Sequence, residues 1–331
     1  AVEFLGEPQY GGGKPVPPQE VWEAFEPYRP TRLPTTVTHS EERIWRYYAG
    51  LSDYPHFDAY RVVAPAADSW RLYDRWGGAR LRWGAPLETI GDLTRSLRDL
   101  NRPRPIAYWS QGAHAGWRSW SRKRASPTPD ELKSQAFHGL AQRVTSLYWF
   151  NLSLKSLLKY PDLIEPITRF NRLALTIAPL LLSGDAFEYR REFSESNPDW
   201  DLSSVTGPQG GLFFANDLAY SPTAKSKTFE FSEREAELRF RLPKYLSKPA
   251  EVFRLDADGV GAVDHTIEGN SLVLKDKLRV AAVYVAAAKR GLREELEERH
   301  ARLLRTEQRY GFDPASREED LATLKAVIGE P

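Results

Sequence analysis

Five times in the first 182 residues a short apolar run is followed by a helical pattern, and this alternation constrains the fold more than any other feature of the chain. The runs are Val2–Leu5, Thr35–Thr38, Phe57–Ala64, Pro105–Ser110 and Val144–Phe150. The helical patterns between and after them fall at 19–25, after Ser40, at 87–100, at 128–143 and from Leu163 to Leu182. Several carry their own boundary chemistry. Pro17 and Pro18 open the first helix, and Pro27 and Pro30 are expected to stop it. Ser40 is a good N-cap, with Glu41 and Glu42 in the following first turn. Thr128 and Glu131 read as a capping box with Pro129 at the first helical position.

Strands joined through helices pair in parallel, with right-handed crossovers. Nearly continuous apolar strands suit a sheet covered on both faces. Four clear units and one weaker one match the later part of a (β/α)8 barrel. A closed barrel takes about 250 residues, so the expectation for 1–182 is an α/β, (β/α)8-barrel-like domain with three units either missing from this sequence or unrecognised in it. An open doubly wound sheet is the structural alternative, but no glycine-rich fingerprint follows a strand.

From Ser183 the period changes. Short alternating runs near 186–193, 211–218, 227–232, 236–242, 250–255, 271–275 and 278–286 are separated by turns such as Asp256-Ala257-Asp258-Gly259. They predict an antiparallel β-sandwich domain over 183–288. A charged helix at 289–305 begins a C-terminal helical extension, 289–331. Arg293 and Glu297 share a face there and can pair, as can Arg290 and Glu294. A solvated brace is the expected role.

Composition narrows the function. The formal net charge is +1, so no global field draws in nucleic acid or an anionic membrane. No apolar run reaches membrane-spanning length; the nearest, 173–182, contains Pro179. The absence of cysteine excludes disulfides, thiolate chemistry and cysteine-ligated zinc. The six histidines are scattered with no His-x-x-x-His, so no metal is expected, and no P-loop or Gly-x-Ser-x-Gly elbow points to a cofactor or a serine nucleophile. Ten tryptophans and fifteen tyrosines serve either a large core or flat platforms on which sugars stack.

In (β/α)8 proteins the reacting groups sit where strands end. That rule selects Glu7, His39, Asp58, Gln111, His114 and Asn151, with Tyr10, Tyr60, Trp109, Trp117 and Trp149 around them. Glu7 follows a strand and precedes proline. Beside aromatic rings its carboxyl would be desolvated and able to act as a general acid; alternatively it is an exposed glutamate of a glycine-rich turn. Asp58 is either a second carboxyl or a bond acceptor for a neighbouring loop. His39 either orients a ligand or makes a structural bond. The segment from Trp109 to Trp117, with Gln111 and His114 among small residues, is the densest set of ligand-contacting types. Asn151 either meets a ligand or caps the next helix. The basic run with Arg118 and 122–124 reads as solvated surface.

Gly6-Glu7-Pro8, the strand Ile106 to Gln111, the helix start Ser126 to Leu132 and the run Leu147 to Asn151 together resemble bacterial glycoside-hydrolase-like barrels with an appended C-terminal β domain. The resemblance covers about residues 1–290. It implies a secreted or periplasmic protein with a carbohydrate substrate, no cofactor, and carboxylate acid/base catalysis. In the large retaining superfamily of this fold an acid/base follows the fourth strand, a position that Glu7 matches. The nucleophile is a glutamate after the seventh strand, where this sequence has Gln111. Glu7 and Asp58 are then the catalytic candidates, and His39, Tyr60, Trp109, Gln111, His114, Trp117, Trp149 and Asn151 the binding set. A non-catalytic carbohydrate-binding protein on a glycosidase-like scaffold is the alternative.

Overall fold

A computed structural model describes residues 1–4, 6–9, 14–40, 42–62, 86–114, 124–195, 197–222, 228–309 and 317–329. Its first layer is a five-stranded parallel sheet of β1 (Val2–Glu3), β2 (Thr35–His39), β3 (Tyr54–Asp58), β4 (Ala107–Gln111) and β5 (Ser146–Phe150), in the order 1-2-3-4-5. Each connection steps one strand in the same direction. That is the winding of a barrel wall; a doubly wound sheet reverses direction at its middle. The fold is thus an incomplete (β/α)8 barrel followed by an antiparallel sheet domain.

Helices α1 (Pro18–Phe25), α2 (Glu42–Tyr48), α3 (Thr89–Asn101), α4 (Pro129–Ala141), α5 (Leu154–Lys159) and α6 (Ile164–Ser183) accompany these strands. The outward residues of the sheet form the core beneath them. Val37 packs with Val21, Phe25 and Tyr48, while Phe57 and Tyr108 pack with Trp45, Ile90, Leu93 and Leu97. The capping box of α4 forms as read: Thr128 Oγ1 accepts from Glu131 N–H, and Glu131 Oε2 accepts from Thr128 N–H at 2.7 Å.

The second layer begins directly after α6. β6 (Asp185–Ser194), β7 (Asn197–Gly207), β8 (Gly210–Asp217), β12 (Glu251–Asp256), β13 (Gly259–Gly261) and β16 (Ala281–Ala287) form a six-stranded sheet in the order 13-12-16-8-7-6. The strands β11 (Arg234–Arg241), β14 (Asp264–Glu268) and β15 (Ser271–Leu278) form a three-stranded sheet, and β9 (Ser221–Pro222) pairs with β10 (Phe229–Glu230). One face of the large sheet meets the small one through Phe213, Tyr284, Leu238, Phe240 and Leu274, which makes the sandwich. Its other face meets α4, α6 and α7 (Leu292–Arg309) through Phe137, Phe170, Phe214, Phe253 and Leu296. A last helix, α8, spans Arg317–Ile328. No helix among the described residues is long and apolar enough to cross a membrane.

Several boundaries differ from the sequence reading. The third strand lies three residues earlier than expected, at 54–58, because the chain turns at Ala59–Val62. Tyr108 Oη donates to Ala59 O at 2.9 Å and Arg61 Nε donates to Thr89 Oγ1 at 2.9 Å, tying that turn to β4 and α3. The first helix ends at Phe25, ahead of Pro27 as expected, and a 3-10 turn continues over Glu26–Thr31. Ser40 Oγ makes no capping bond among the described residues. The strand β7 was not anticipated, and neither were β14 or α8. Arg293 Nε pairs with Glu297 at 2.9 Å as expected, and Leu292, Leu296 and His300 bury the other face of α7.

Candidate functional site

Side chains of paired residues on neighbouring strands share a face. The register therefore defines an inner face, away from the helices, carrying Glu3, Thr36, Thr38, Tyr54, His56, Asp58, Trp109, Gln111, Tyr148 and Phe150. Toward the carboxyl ends of the strands, this face holds a pair of acids. Asp58 closes β3, and its side chain hydrogen-bonds the Glu7 carboxyl, although 51 residues separate them in sequence. Burial raises the Asp58 carboxyl well above its usual range, and the adjacent Glu7 charge raises it further. The Tyr60 phenol bonds Asp58 as well, and it is pushed above its usual range first by burial and then by the Asp58 charge.

The backbone explains how Glu7 arrives there. Gly6 has φ +79°, a left-handed conformation that a glycine adopts without a Cβ penalty, and it turns the chain out of β1. Gln9 then clamps the turn onto β2. Its Nε2 donates to His39 Nδ1 at 2.9 Å, and its Oε1 accepts from Ser40 N–H at 3.3 Å. His39 must be unprotonated at Nδ1 to accept that bond. Burial favours this state, holding the imidazole down to about 3.

Aromatic rings wall the acids on the side of β4 and β5. Tyr60 stacks on Phe150 at 5.3 Å, and Trp109 lies 4.7 Å from Tyr148 and edge-on to Phe150 at 6.3 Å. The His114 ring is 6.2 Å from Phe150, and its backbone N–H donates to Ser126 Oγ. Beneath Asp58 on the same strand face sits His56, whose ring lies 5.1 Å from Tyr54, 5.3 Å from Tyr148 and 6.2 Å from Trp109. Both its ring nitrogens are buried with no hydrogen-bond partner among the described residues, and burial lowers its pKa to about 4. A hydrogen-bonded acid pair beside flat rings can hold a proton near neutral pH and present it to a ligand lying on those rings.

The sequence candidates thus divide. Glu7, Asp58, Tyr60, Trp109 and Gln111 come together at the carboxyl end of the inner face, with Gln111 wholly buried at the end of β4 and His114 beside Phe150. Asn151 is exposed one residue past β5. His39 and Trp149 are not part of this group. His39 faces the helices, 6.2 Å from both Trp45 and Tyr48, and serves as the anchor for Gln9. The Trp149 ring packs edge-on to Phe170 of α6, and its indole N–H donates to Asn171. Alternation puts both on the outward face, one residue out of phase with the inner set. Trp117 and Tyr10 lie outside the described residues. His56, Tyr148 and Phe150 were missed as site residues. The first lay before the expected start of its strand, and the pleat of Tyr-Trp-Phe, with Trp149 opposed to its neighbours, was the available signal for the other two. Among the described residues no cluster of three or more His, Asp or Glu side chains could hold a metal ion.

No protein-family model matches the sequence, and no curated protein matches it. Solved structures do. A GH30 endoxylanase from Clostridium papyrosolvens C71 is similar over 86% of this chain and 64% of its own, with 10% identity and a TM-score of 0.45. A noncanonic maltogenic α-amylase from Thermotoga neapolitana is similar over 85% of this chain and 60% of its own, with 9% identity and a TM-score of 0.47. A family 51 α-L-arabinofuranosidase from Bifidobacterium longum is similar over 86% and 66%, with 10% identity and a TM-score of 0.38. The chain spans less than two thirds of the length of each of these.

Proposed function

We propose that the chain carries a glycoside-hydrolase-type site in which the Glu7–Asp58 pair supplies the proton for cleavage of an oligo- or polysaccharide. The observation that carries this reading is the hydrogen bond between the two carboxyls at the carboxyl end of a parallel barrel sheet. Burial and the adjacent Glu7 charge raise the Asp58 carboxyl well above its usual range, which makes Asp58 the member suited to act as the general acid. A sugar ring lying on Trp109 and Phe150 brings its glycosidic oxygen between the acids and takes that proton. As the proton passes to the glycosidic oxygen, the bond from that oxygen to the anomeric carbon breaks. The carboxylate left behind faces the positive charge developing there, and water adds to that carbon and returns a proton to the carboxylate. Tyr60 holds Asp58 in place through its phenol. The two carboxyls in hydrogen-bonding contact are closer than the about 5 Å of a retaining pair, so substrate entry must part them.

The test is product formation from a panel of glycans by the parent protein and by Glu7→Gln and Asp58→Asn. Each variant is expected to lose turnover by about a hundredfold or more while retaining sugar binding. Full activity in either variant removes that residue from the mechanism. Gln111 at the end of β4 favours a second reading, a carbohydrate-binding protein without turnover. Glycan binding that depends on Trp109, with no product from any member of the panel, selects it over the first.

A further inference from the structure

A cavity whose lining shares no residue with the acid pair lies between the helices of the first layer and the large antiparallel sheet. Its volume is about 360 Å³, within the range of small-molecule sites. α4 supplies Asp130, Lys133 and Phe137, α6 supplies Arg169, Phe170 and Leu173, and β12 with its following turn supplies Arg254, Asp256 and Asp258. The floor is apolar, since Phe137, Phe170 and Leu173 belong to the core shared by the two layers. The rim is charged, and most of its charges are already matched. Arg169 is bonded to Asp258 at 2.6 Å, and Arg254 to Asp276 at 2.9 Å. Arg279, in the turn before β16, pairs with Asp130.

Lys133 is the exception. Its ammonium donates one long bond, 3.4 Å, to the backbone carbonyl of Arg279, and among the described residues no carboxylate lies within ion-pair distance of it. It also lies over the Phe137 ring, at 5.5 Å. It is therefore a cation at the edge of an apolar cleft with spare donor capacity. Burial lowers its pKa to about 8, Arg254 and Arg169 act in the same direction, and Asp130 and Asp256 oppose them. An ammonium that has lost hydration without gaining a counter-charge is stabilised by any anion that reaches it.

We propose that this cleft binds a small amphipathic carboxylic acid, whose carboxylate meets the Lys133 ammonium and whose apolar body lies on Phe137, Phe170 and Leu173. A single ammonium matches one negative charge. A phosphate group would call for the guanidinium forks of Arg169 and Arg254, which carboxylates already occupy. The site is independent of the acid pair and of any reaction there.

The experiment is calorimetric titration of the full chain with 4-phenylbutyrate and with its neutral amide, at pH 7 and pH 9. Saturable binding of the acid at pH 7 is expected, with binding of the amide about tenfold weaker or more. Affinity for the acid should fall between pH 7 and pH 9 as the ammonium loses its proton. Lys133→Met keeps the aliphatic stem and is expected to bind acid and amide alike. The amide comparison on the parent protein stands even if that variant fails to fold. Absence of saturable binding at millimolar acid, or equal binding of acid and amide by the parent, overturns the proposal.

Discussion

Three buried histidines make the molecule sensitive to acid. Burial is the leading cause in each case, lowering His39 and His138 to about 3 and His56 to about 4. His138 Nδ1 is 3.7 Å from Asp201, a contact that alone would favour the imidazolium. Arg191, bonded to Asp201 at 2.6 and 2.8 Å, already neutralises that carboxylate, so burial wins. The sign follows from linkage. An unfolded histidine takes up a proton below about pH 6.5, whereas these folded ones do not until about 4 or 3. Their contribution is fully present above pH 6.5 and is lost as pH falls toward 4, on the order of 1.4 kcal/mol per unit for each histidine. Urea unfolding at pH 7, 6 and 5 should show this slope, and His39→Gln, an uncharged acceptor for Gln9, should reduce it. A stability that stays flat from pH 7 to pH 5 contradicts the burial of these rings. At this scale the sequence named Glu7 and Asp58 by their places at strand ends, but not their contact, because they lie 51 positions apart in the sequence. It could not separate His39 from His56 either. Which of two histidines faces inward depends on strand phase, and the register of the third strand was misplaced by three residues.

Among the elements, α4 is the hinge between the two layers. Glu131 is wholly buried and serves two donors. Its Oε2 accepts from Thr128 N–H, and its Oε1 accepts from Phe229 N–H of β10 at 2.7 Å. Thr128→Ala removes one cap and is expected to cost about 1 kcal/mol. Glu131→Ala strands both donors and is expected to cost about 2–4 kcal/mol. Chemical denaturation of the two variants checks the order, and equal losses would mean that the bond to β10 contributes nothing. The cap itself was legible, since Thr-Pro-Asp-Glu is a local signal. The tie to Phe229 was not, because its partner is 98 residues away. The strand β7 was hidden for a related reason. Asn-Pro-Asp-Trp-Asp-Leu-Ser-Ser-Val-Thr-Gly is too polar to read as a central strand. Two of its polar residues are paired: Ser203 Oγ donates across the layers to Ala141 O of α4 at 2.8 Å, and Asp201 accepts from Arg191 of the neighbouring β6.

The whole molecule is two architectures joined through a shared buried cluster. The change of period at Ser183 was legible, and so was the incomplete barrel, because each rests on local alternation. The shared core was not, because nothing local says that the outer face of the second unit's large sheet packs on α4 and α6. Phe137 and Phe170 from the first part and Phe214, Phe253 and Leu296 from the second belong to the same buried cluster. Arg191 of β6 also reaches Asp92 of α3 at 3.4 Å. Scanning calorimetry should therefore give a single unfolding transition, and two separated transitions would contradict this coupling. The barrel sheet, in turn, places the acid pair at its carboxyl end, and the functional reading depends on Asp58 keeping its proton above the usual carboxylate range. An infrared titration of the carboxyl stretch, comparing the parent protein with Asp58→Asn, tests this most directly. The account predicts a protonated-carboxyl band that persists above the usual carboxylate range and is weakened in Asp58→Asn, with buried Glu88 contributing the remainder; a band that Asp58→Asn leaves unchanged would contradict it.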